Sequence, residues 1–235
     1  DGGTEAHECP FGGFTLPCAQ IPQTVTLPGG TPPIPKQVAS GNSTNCALTA
    51  DGTVYCWGEG SGGELGNGLS TDADAPVLVE VIDASSAATT ATQLTVGSNH
   101  ACARMSDGTA KCWGQNASEQ LGDGGTANQS SPVTVTSPAL TGTTLATSII
   151  ALTAGDKHTC ALLANGQVSC WGADGNGQRG DGNCTGVCPE NVHWTDGITT
   201  TELTDVVAVA AGTDHTCALK NDGTLWCWGY DANGQ

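Results

Sequence analysis

Four stretches of the chain align with one another without a gap, and no other feature restricts the fold so strongly. They read GNSTNCALTADGTVYCWG from Gly41, GSNHACARMSDGTAKCWG from Gly97, GDKHTCALLANGQVSCWG from Gly155 and GTDHTCALKNDGTLWCWG from Gly212. Their first cysteines fall at Cys46, Cys102, Cys160 and Cys217, in steps of 56, 58 and 57 residues. Each stretch continues into a glycine-rich tail: EGSGGELGNG, QNASEQLGDG, ADGNGQRGDG and YDANGQ. A repeat of this length is one supersecondary unit that buries its apolar face only against its neighbours.

Inside a unit the period is that of strands. An apolar run (Leu94 to Val96, Ile149 to Thr153, Val206 to Ala211) leads into a glycine. A second strand carries Cys-Ala-Leu or its equivalent, a third carries Cys-Trp-Gly, and a fourth follows Pro76 or Pro132. The 34 glycines and frequent threonines suit short strands and turns better than helices. Four short strands per unit predict an all-β chain, a β-propeller of four-stranded blades packed radially around a channel. Residues 1–37 fall outside the repeats and carry Pro17, Pro22, Pro28, Pro32, Pro33 and Pro35. They are expected to form an extended strap or tether, ahead of a repeat domain over 38–235 with units starting near Val38, Leu94, Ile150 and Val207.

The hairpin between the two cysteines of a unit has a definite register. Ala50-Asp51-Gly52 suits a type I turn followed by a left-handed glycine, which sets Leu48 opposite Val54, Ala47 opposite Tyr55 and Cys46 opposite Cys56. The cysteines then occupy a non-hydrogen-bonded site with Cα atoms about 4.5 Å apart, within disulfide range. The same spacing pairs Cys102 with Cys112, Cys160 with Cys170 and Cys217 with Cys227. Cys9 with Cys18, and Cys184 with Cys188, are expected to close two local loops. Zinc is a poor competitor, because its knuckles bring ligands together in tight C-x-x-C pairs.

Trp57, Trp113, Trp171 and Trp228 follow the second cysteine and so point to the opposite sheet face, beside the small Ala47, Ala103, Ala161 and Ala218. Large rings over small residues are expected to pack blade on blade. Trp194 and Trp226 have no counterpart in the other units; Trp194 is the candidate surface binding residue. His100, His158 and His215 recur at one position of successive units, so each is expected to cap its own strand by hydrogen bonding. Thr44 stands at that position in the first unit. The string from Asp174 to Asp181 has the density of a calcium loop but lacks its bidentate glutamate, and it aligns with the ordinary tail. No cofactor is expected, with calcium the one left open. No nucleophile elbow, zinc-protease helix or phosphate loop is present, and an enzyme is not expected.

Six Lys+Arg stand against 23 Asp+Glu, a formal net charge of −17. Nucleic acid and anionic lipid bind clustered basic residues, so neither is an expected partner. No apolar run reaches the ~20 residues of a membrane span, which argues against membrane insertion. Twelve cysteines point to an oxidising compartment: extracellular space, cell surface or periplasm. Any leader would then have been removed ahead of Asp1. Differences between units gather in Leu69 to Ala75, Gly125 to Ser131 and Asn183 to Cys188, and between the outer strands. These are the segments where a repeat protein carries its contacts.

The pattern G-x-x-H-x-x-A-L-x-x-D-G-x-x-x-x-W-G-x-N-x-x-x-Q-L-G-D-G resembles the repeat of the regulator of chromosome condensation family, from about Val38 to Gln235. Arg179 departs from it where Leu65 and Leu121 conform. The paired cysteines are additions to it, pointing to a secreted, disulfide-containing, bacterial-like branch. The resemblance implies a seven-bladed propeller, of which four units form an incomplete part. Further repeats, or another chain, would complete the ring. The open side of the last blade is expected to expose Leu219, Leu225 and Trp228. The function implied is a non-enzymatic extracellular scaffold that binds a protein partner or a larger extracellular assembly. A surface lectin or adhesin, and an inhibitor of a secreted enzyme, are the alternatives.

Overall fold

The computed structural model describes residues 7–11, 14–18, 24–28, 33–81, 89–136, 148–182, 193–195 and 200–235, with 7–11, 14–18, 193–195 and 200–201 described by backbone alone. A short hairpin comes first, β1 (His7–Phe11) and β2 (Phe14–Cys18). The first blade is β3 (Pro35–Ser40), β4 (Thr44–Thr49), β5 (Val54–Gly58) and β6 (Ala73–Val79). The second is β7 (Ala91–Val96), β8 (His100–Met105), β9 (Ala110–Gly114) and β10 (Gln129–Thr134). The third is β11 (Ile149–Ala154), β12 (His158–Leu163) and β13 (Val168–Gly172). A small hairpin of β14 (His193–Thr195) and β15 (Thr200–Glu202) precedes the fourth, β16 (Val206–Ala211), β17 (His215–Lys220) and β18 (Leu225–Gly229). Each blade is an antiparallel meander in chain order. Two have four strands, and two show three among the described residues.

The hairpin register follows from the turn. Gly52 sits at φ 87° and its amide donates to the Thr49 carbonyl at 3.1 Å, a backbone that a Cβ would strain. Leu48 then faces Val54, Ala47 faces Tyr55 and Cys46 faces Cys56. The Asx position tightens the turn: Asp107 Oδ1 accepts from the Thr109 amide at 2.9 Å and its hydroxyl at 2.6 Å, and Asp222 does the same for Thr224. The innermost strand of every blade carries one irregularity, between Pro35 and Gln37, Ala91 and Gln93, Ile149 and Ala151, and Val206 and Ala208. Such a bulge adds twist where the blades converge.

Blades stack by opposite faces. The disulfide side of the first (Cys46, Leu48, Val54, Cys56, Val79) packs against the tryptophan side of the second (Ala101, Ala103, Met105, Trp113). Cys102, Cys112 and Leu121 meet Ala161 and Trp171 in the next cluster, and Cys160, Leu162 and Val168 meet Ala218, Trp226 and Trp228 in the third. Among the described residues no cluster joins the fourth blade to the first. The fourth leaves Leu225 72% exposed, while the first leaves Val38 70% exposed. Trp228 is not on that open side, contrary to the expectation. It follows Cys227 and so points backward, where its indole N–H donates to the Gln178 carbonyl at 2.8 Å. The open side carries Leu219, Leu225 and the second-strand cysteine instead. At the other end of the stack, the Tyr55 hydroxyl donates to the Pro28 carbonyl at 3.3 Å, which ties Pro28 to the first blade.

Candidate functional site

The side chains singled out by the repeat converge on the seams between blades. Trp113 is fully buried, and its indole N–H donates to the Glu64 carbonyl of the preceding tail at 2.9 Å. Trp171 donates to the Gln120 carbonyl at 3.0 Å. Glu64, Gln120 and Gln178 occupy one position of the tail, and each holds its own turn by accepting a backbone amide: Gly62 at 2.7 Å, Ser118 at 2.9 Å and Asn176 at 2.8 Å. Trp57 has the same place on the first blade, whose incoming face meets no earlier blade among the described residues, and it is only partly buried.

The histidines do not cap their own strands. His100 Nε2 lies 2.8 Å from Thr159 Oγ1, and His158 Nε2 lies 2.9 Å from Thr216 Oγ1, each across a seam. The Thr159 hydroxyl donates to the Gln120 carbonyl at 3.0 Å, so its oxygen accepts the His100 Nε2 proton. His100 is therefore the neutral Nε2–H tautomer, with Nδ1 buried and without a hydrogen-bond partner. The ring reaches the seam because it lies flat on the glycine three residues earlier. A Cβ on Gly97 would stand 2.4 Å from His100 Cε1 and 2.4 Å from the carbonyl of Gly155 in the next blade. The approach of the next blade's carbonyl keeps the glycine even without the histidine: a Cβ on Gly41, ahead of Thr44, would stand 2.1 Å from the Gly97 carbonyl. Burial, with a smaller contribution from His158, lowers the pKa of His100 to about 4, and burial lowers that of His158 to about 4.

One seam contact carries no sequence signal legible from the repeat. Gln37 on β3 donates to the Leu94 carbonyl at 2.6 Å and accepts its amide at 3.0 Å. Gln93 does the same to Leu152, at 3.1 Å and 2.9 Å. These amides replace ladder partners between sheets that share no ladder. In the third unit the position is Ala151, and Thr153 Oγ1 accepts from the Ala211 amide at 2.8 Å instead.

Four disulfides close the hairpins, Cys46–Cys56, Cys102–Cys112, Cys160–Cys170 and Cys217–Cys227, each with Cα atoms 4.1 Å apart. The side chains of Cys9 and Cys18, all of Cys184 and Cys188, and the side chain of Trp194, whose backbone pairs with Thr201, lie outside the described residues. The first three hairpin disulfides are sealed in seams, whereas Cys227 is exposed. A mild reductant under native conditions should open Cys217–Cys227 well before the other three. Timed alkylation and peptide mapping would check this, and simultaneous opening of all four would refute it.

The Asp174 to Asp181 string already holds a cation. Arg179 lies on Asp181 at 2.5 Å and within 3.8 Å of Asp174, and Asp174 Oδ1 accepts the Arg179 amide at 2.9 Å. No group of three or more His, Cys, Asp or Glu among the described residues is arranged to hold a metal. Asn116 opens an N-x-S/T glycan-acceptor pattern, Asn116-Ala117-Ser118, but its amide is not accessible to a glycan in this fold. Asn116 is fully buried and its amide donates to Asp123 at 2.9 Å and to the Gly125 carbonyl at 2.8 Å.

The fold and its seams define a radial β-propeller built from one repeat. The chain belongs to the regulator of chromosome condensation (RCC1) repeat family, whose models match residues 36–64, 91–120, 149–178 and 206–235, and also 51–104 and 107–162. It is 31% identical over 187 residues to the human E3 ubiquitin-protein ligase HERC2, covering 80% of this chain and 4% of that protein. It is 29% identical to the Arabidopsis thaliana protein RUG3, described as mitochondrial, covering 84% of this chain and 42% of that one. Among solved structures it is similar to yeast RCC1 bound to Kap60, with a TM-score of 0.65 and 22% identity over 83% of this chain and 43% of that one. The chain thus spans less than half the length of these relatives.

These comparisons overturn the expectation of a secreted, bacterial-like branch in the extracellular space, at the cell surface or in the periplasm. The relatives are human, mouse, fission yeast and plant proteins, one of them mitochondrial, and a solved relative is yeast RCC1 on Kap60. The physical reason is that the cysteines were read as a marker of compartment. Six of the eight hairpin cysteines are buried in seams, where their cross-strand disulfides fill a packing site, so blade packing accounts for their placement without reference to a compartment.

Proposed function

We propose that this chain is a protein-binding module without chemistry of its own, and that its loop face receives a basic protein segment. The observation that carries the reading is the charge of that face. It bears the turns at 41–43, 97–99, 155–157 and 212–214 together with the glycine tails. Glu59, Asp72, Asp74, Asp214 and Asp231 stand there. Of the cations there, Lys157 lies 3.9 Å from Asp156 and Arg179 is held by Asp181. An unbalanced acidic face steers basic partners and repels nucleic acid. His100 and His158 are each committed to a separate seam, and among the described residues no group of three or more His, Cys, Asp or Glu is gathered in one place to hold a metal. Protein contact also fits a relative, since yeast RCC1 (Prp20) was solved bound to Kap60 and was characterised for binding Gsp1p and histones.

Binding of core histones and of a size-matched neutral protein, measured by interferometry, would test it. Histone affinity should fall at least about tenfold between 0.1 M and 0.5 M salt. It should also fall in a Glu59→Gln, Asp74→Asn, Asp231→Asn variant that melts like the parent. Equal affinity for the neutral protein, or an unchanged affinity in the triple variant, would refute the reading.

A further inference from the structure

Where the innermost strands end on the loop face, the four blades border one recess of about 250 Å3. It is built around Gly41, Gly97, Gly155 and Gly212, which stand at one position of successive units. Each of the first three is pressed against the carbonyl of the next. A Cβ on Gly155 would stand 2.5 Å from the Gly212 oxygen, as at Gly41 and Gly97 before it. Backbone amides join the same contact, Asn42 donating to the Ser98 carbonyl at 3.2 Å and Asp156 to the Thr213 carbonyl at 2.9 Å. The backbone is thereby committed to holding blade to blade, and the polar lining left for a ligand is that of side chains.

The glycine is constant, and the residue behind it is not. Asn42, Ser98, Asp156 and Thr213 occupy that position, and all four line the recess. A variable polar residue beside a rigidly held glycine is how a fixed scaffold carries a specificity position. Among the described residues that line the recess, Asp156 carries the one charge. Its carboxylate is 29% exposed and already has an ammonium nearby, Lys157 Nζ at 3.9 Å, on a side chain that is itself 56% exposed. An exposed pair at that distance is weak, so the carboxylate is open to exchange of partner. Val96, Ala154 and Ala211, each one residue ahead of a glycine, complete the wall.

We propose that this recess is a binding site for one lysine side chain of a basic segment, an assignment that rests on the reading of the loop face given above. The ammonium pairs with Asp156, side-chain oxygens of Asn42, Ser98 and Thr213 accept its remaining protons, and the methylenes lie on Val96, Ala154 and Ala211. The three N–H bonds of an ammonium fan out from a point, which suits acceptors spread over several blades. Arginine presents a planar fork that needs two acceptors side by side. A hard divalent cation would need several carboxylates or free carbonyls, and the recess offers one carboxylate.

The test titrates acetylated, amidated Gly-Gly-Lys-Gly-Gly into the nitrogen-15-labelled chain and follows backbone amide shifts. The lysine peptide should shift the amides of Asn42, Ser98, Asp156 and Thr213 saturably, and the peptide with norleucine in place of lysine should not. Asp156→Asn and Asp156→Ser should each weaken lysine binding at least about tenfold. Asparagine and serine stand at this position in the first and second units, so the fold accepts both. Lys157→Met removes the competing ammonium and should tighten binding about twofold; weaker binding there would overturn the pairing with Asp156. Shifts that are absent, that persist in both Asp156 variants, or that norleucine reproduces overturn the site. Equal binding of the arginine peptide overturns the selection of lysine. Lysine-dependent shifts confined to the surroundings of Glu59, Asp74 and Asp231 overturn the recess and keep the acidic-face reading. Histone affinity that ignores salt and the triple variant, with the axial shifts intact, overturns the acidic-face reading and keeps the recess.

Discussion

Acidification from pH 7 to pH 4 should destabilise the chain by about 3 kcal/mol for each of His100 and His158, an order-of-magnitude figure from a pKa near 6.5 in the unfolded chain and about 4 in the fold. Both folded pKa values are depressed, so the unfolded chain binds the proton more readily. The stabilising contribution is complete above pH 6.5, declines as the pH falls from there, and is lost by about pH 4. Asp156, Asp214, His158 and His215 are the charged neighbours that modulate it, the carboxylates opposing and the histidines reinforcing the shift. Carboxylates act elsewhere. Hydrogen bonds from Thr49 and Thr224 hold Asp51 and Asp222 below the usual carboxylate range, so their contributions persist until lower pH. Burial raises Asp174, which favours the fold as acid is added. Urea midpoints at half-unit steps between pH 7 and pH 4 would measure the effect. A His100→Gln, His158→Gln variant should be less stable at pH 7 and flatter across the window. A parent curve already flat between 6.5 and 4 would refute the assignment.

Replacing Trp113 by alanine should cost about 3–5 kcal/mol, the range for deleting a large aromatic from a packed core. The ring is fully buried between the first two blades and donates to the Glu64 carbonyl, so the variant loses packing and orphans a carbonyl together. Trp113→Phe should recover most of the packing and lose about 1–2 kcal/mol from the missing donor. Trp57→Ala serves as the control. It removes the same residue from the same motif, but on a face that meets no preceding blade among the described residues, and it should cost less than half as much. Equal losses at Trp57 and Trp113, measured by urea unfolding, would show that the seam contributes nothing beyond the blade's own packing.

The blade itself was legible in the sequence because its determinants are local. A glycine at the hairpin tip fixes the turn, the turn fixes the register, and the register places Cys46 on Cys56 and the tryptophan on the reverse face. Direction was harder to see. Trp228 was expected on the open side beside Leu219 and Leu225, although its own alternation with Cys227 sends it to the third blade. The His-to-threonine bonds were missed because their partners lie 58 or 59 residues apart, and repetition alone says that a residue matters without saying what it touches. The signal was present in the joint change of the first unit pair, where Thr44 stands in place of the histidine and Ala101 in place of Thr159 and Thr216. Compartment was misread because cysteine count alone was taken as a marker of the surroundings, when six of the eight hairpin cysteines have a packing role inside the seams.

Repeat length, strand period, hairpin register and the sign of the charge are properties of neighbouring residues or of simple sums, and the sequence by itself determined them. Only the tertiary structure decided which face of each blade meets the next and which backbone carbonyl receives each indole. It also decided that a histidine, kept neutral by burial, donates to a hydroxyl on another sheet. Those contacts form when two blades converge on a common axis, where glycine lets one backbone approach the next, and no single unit contains both halves of any of them.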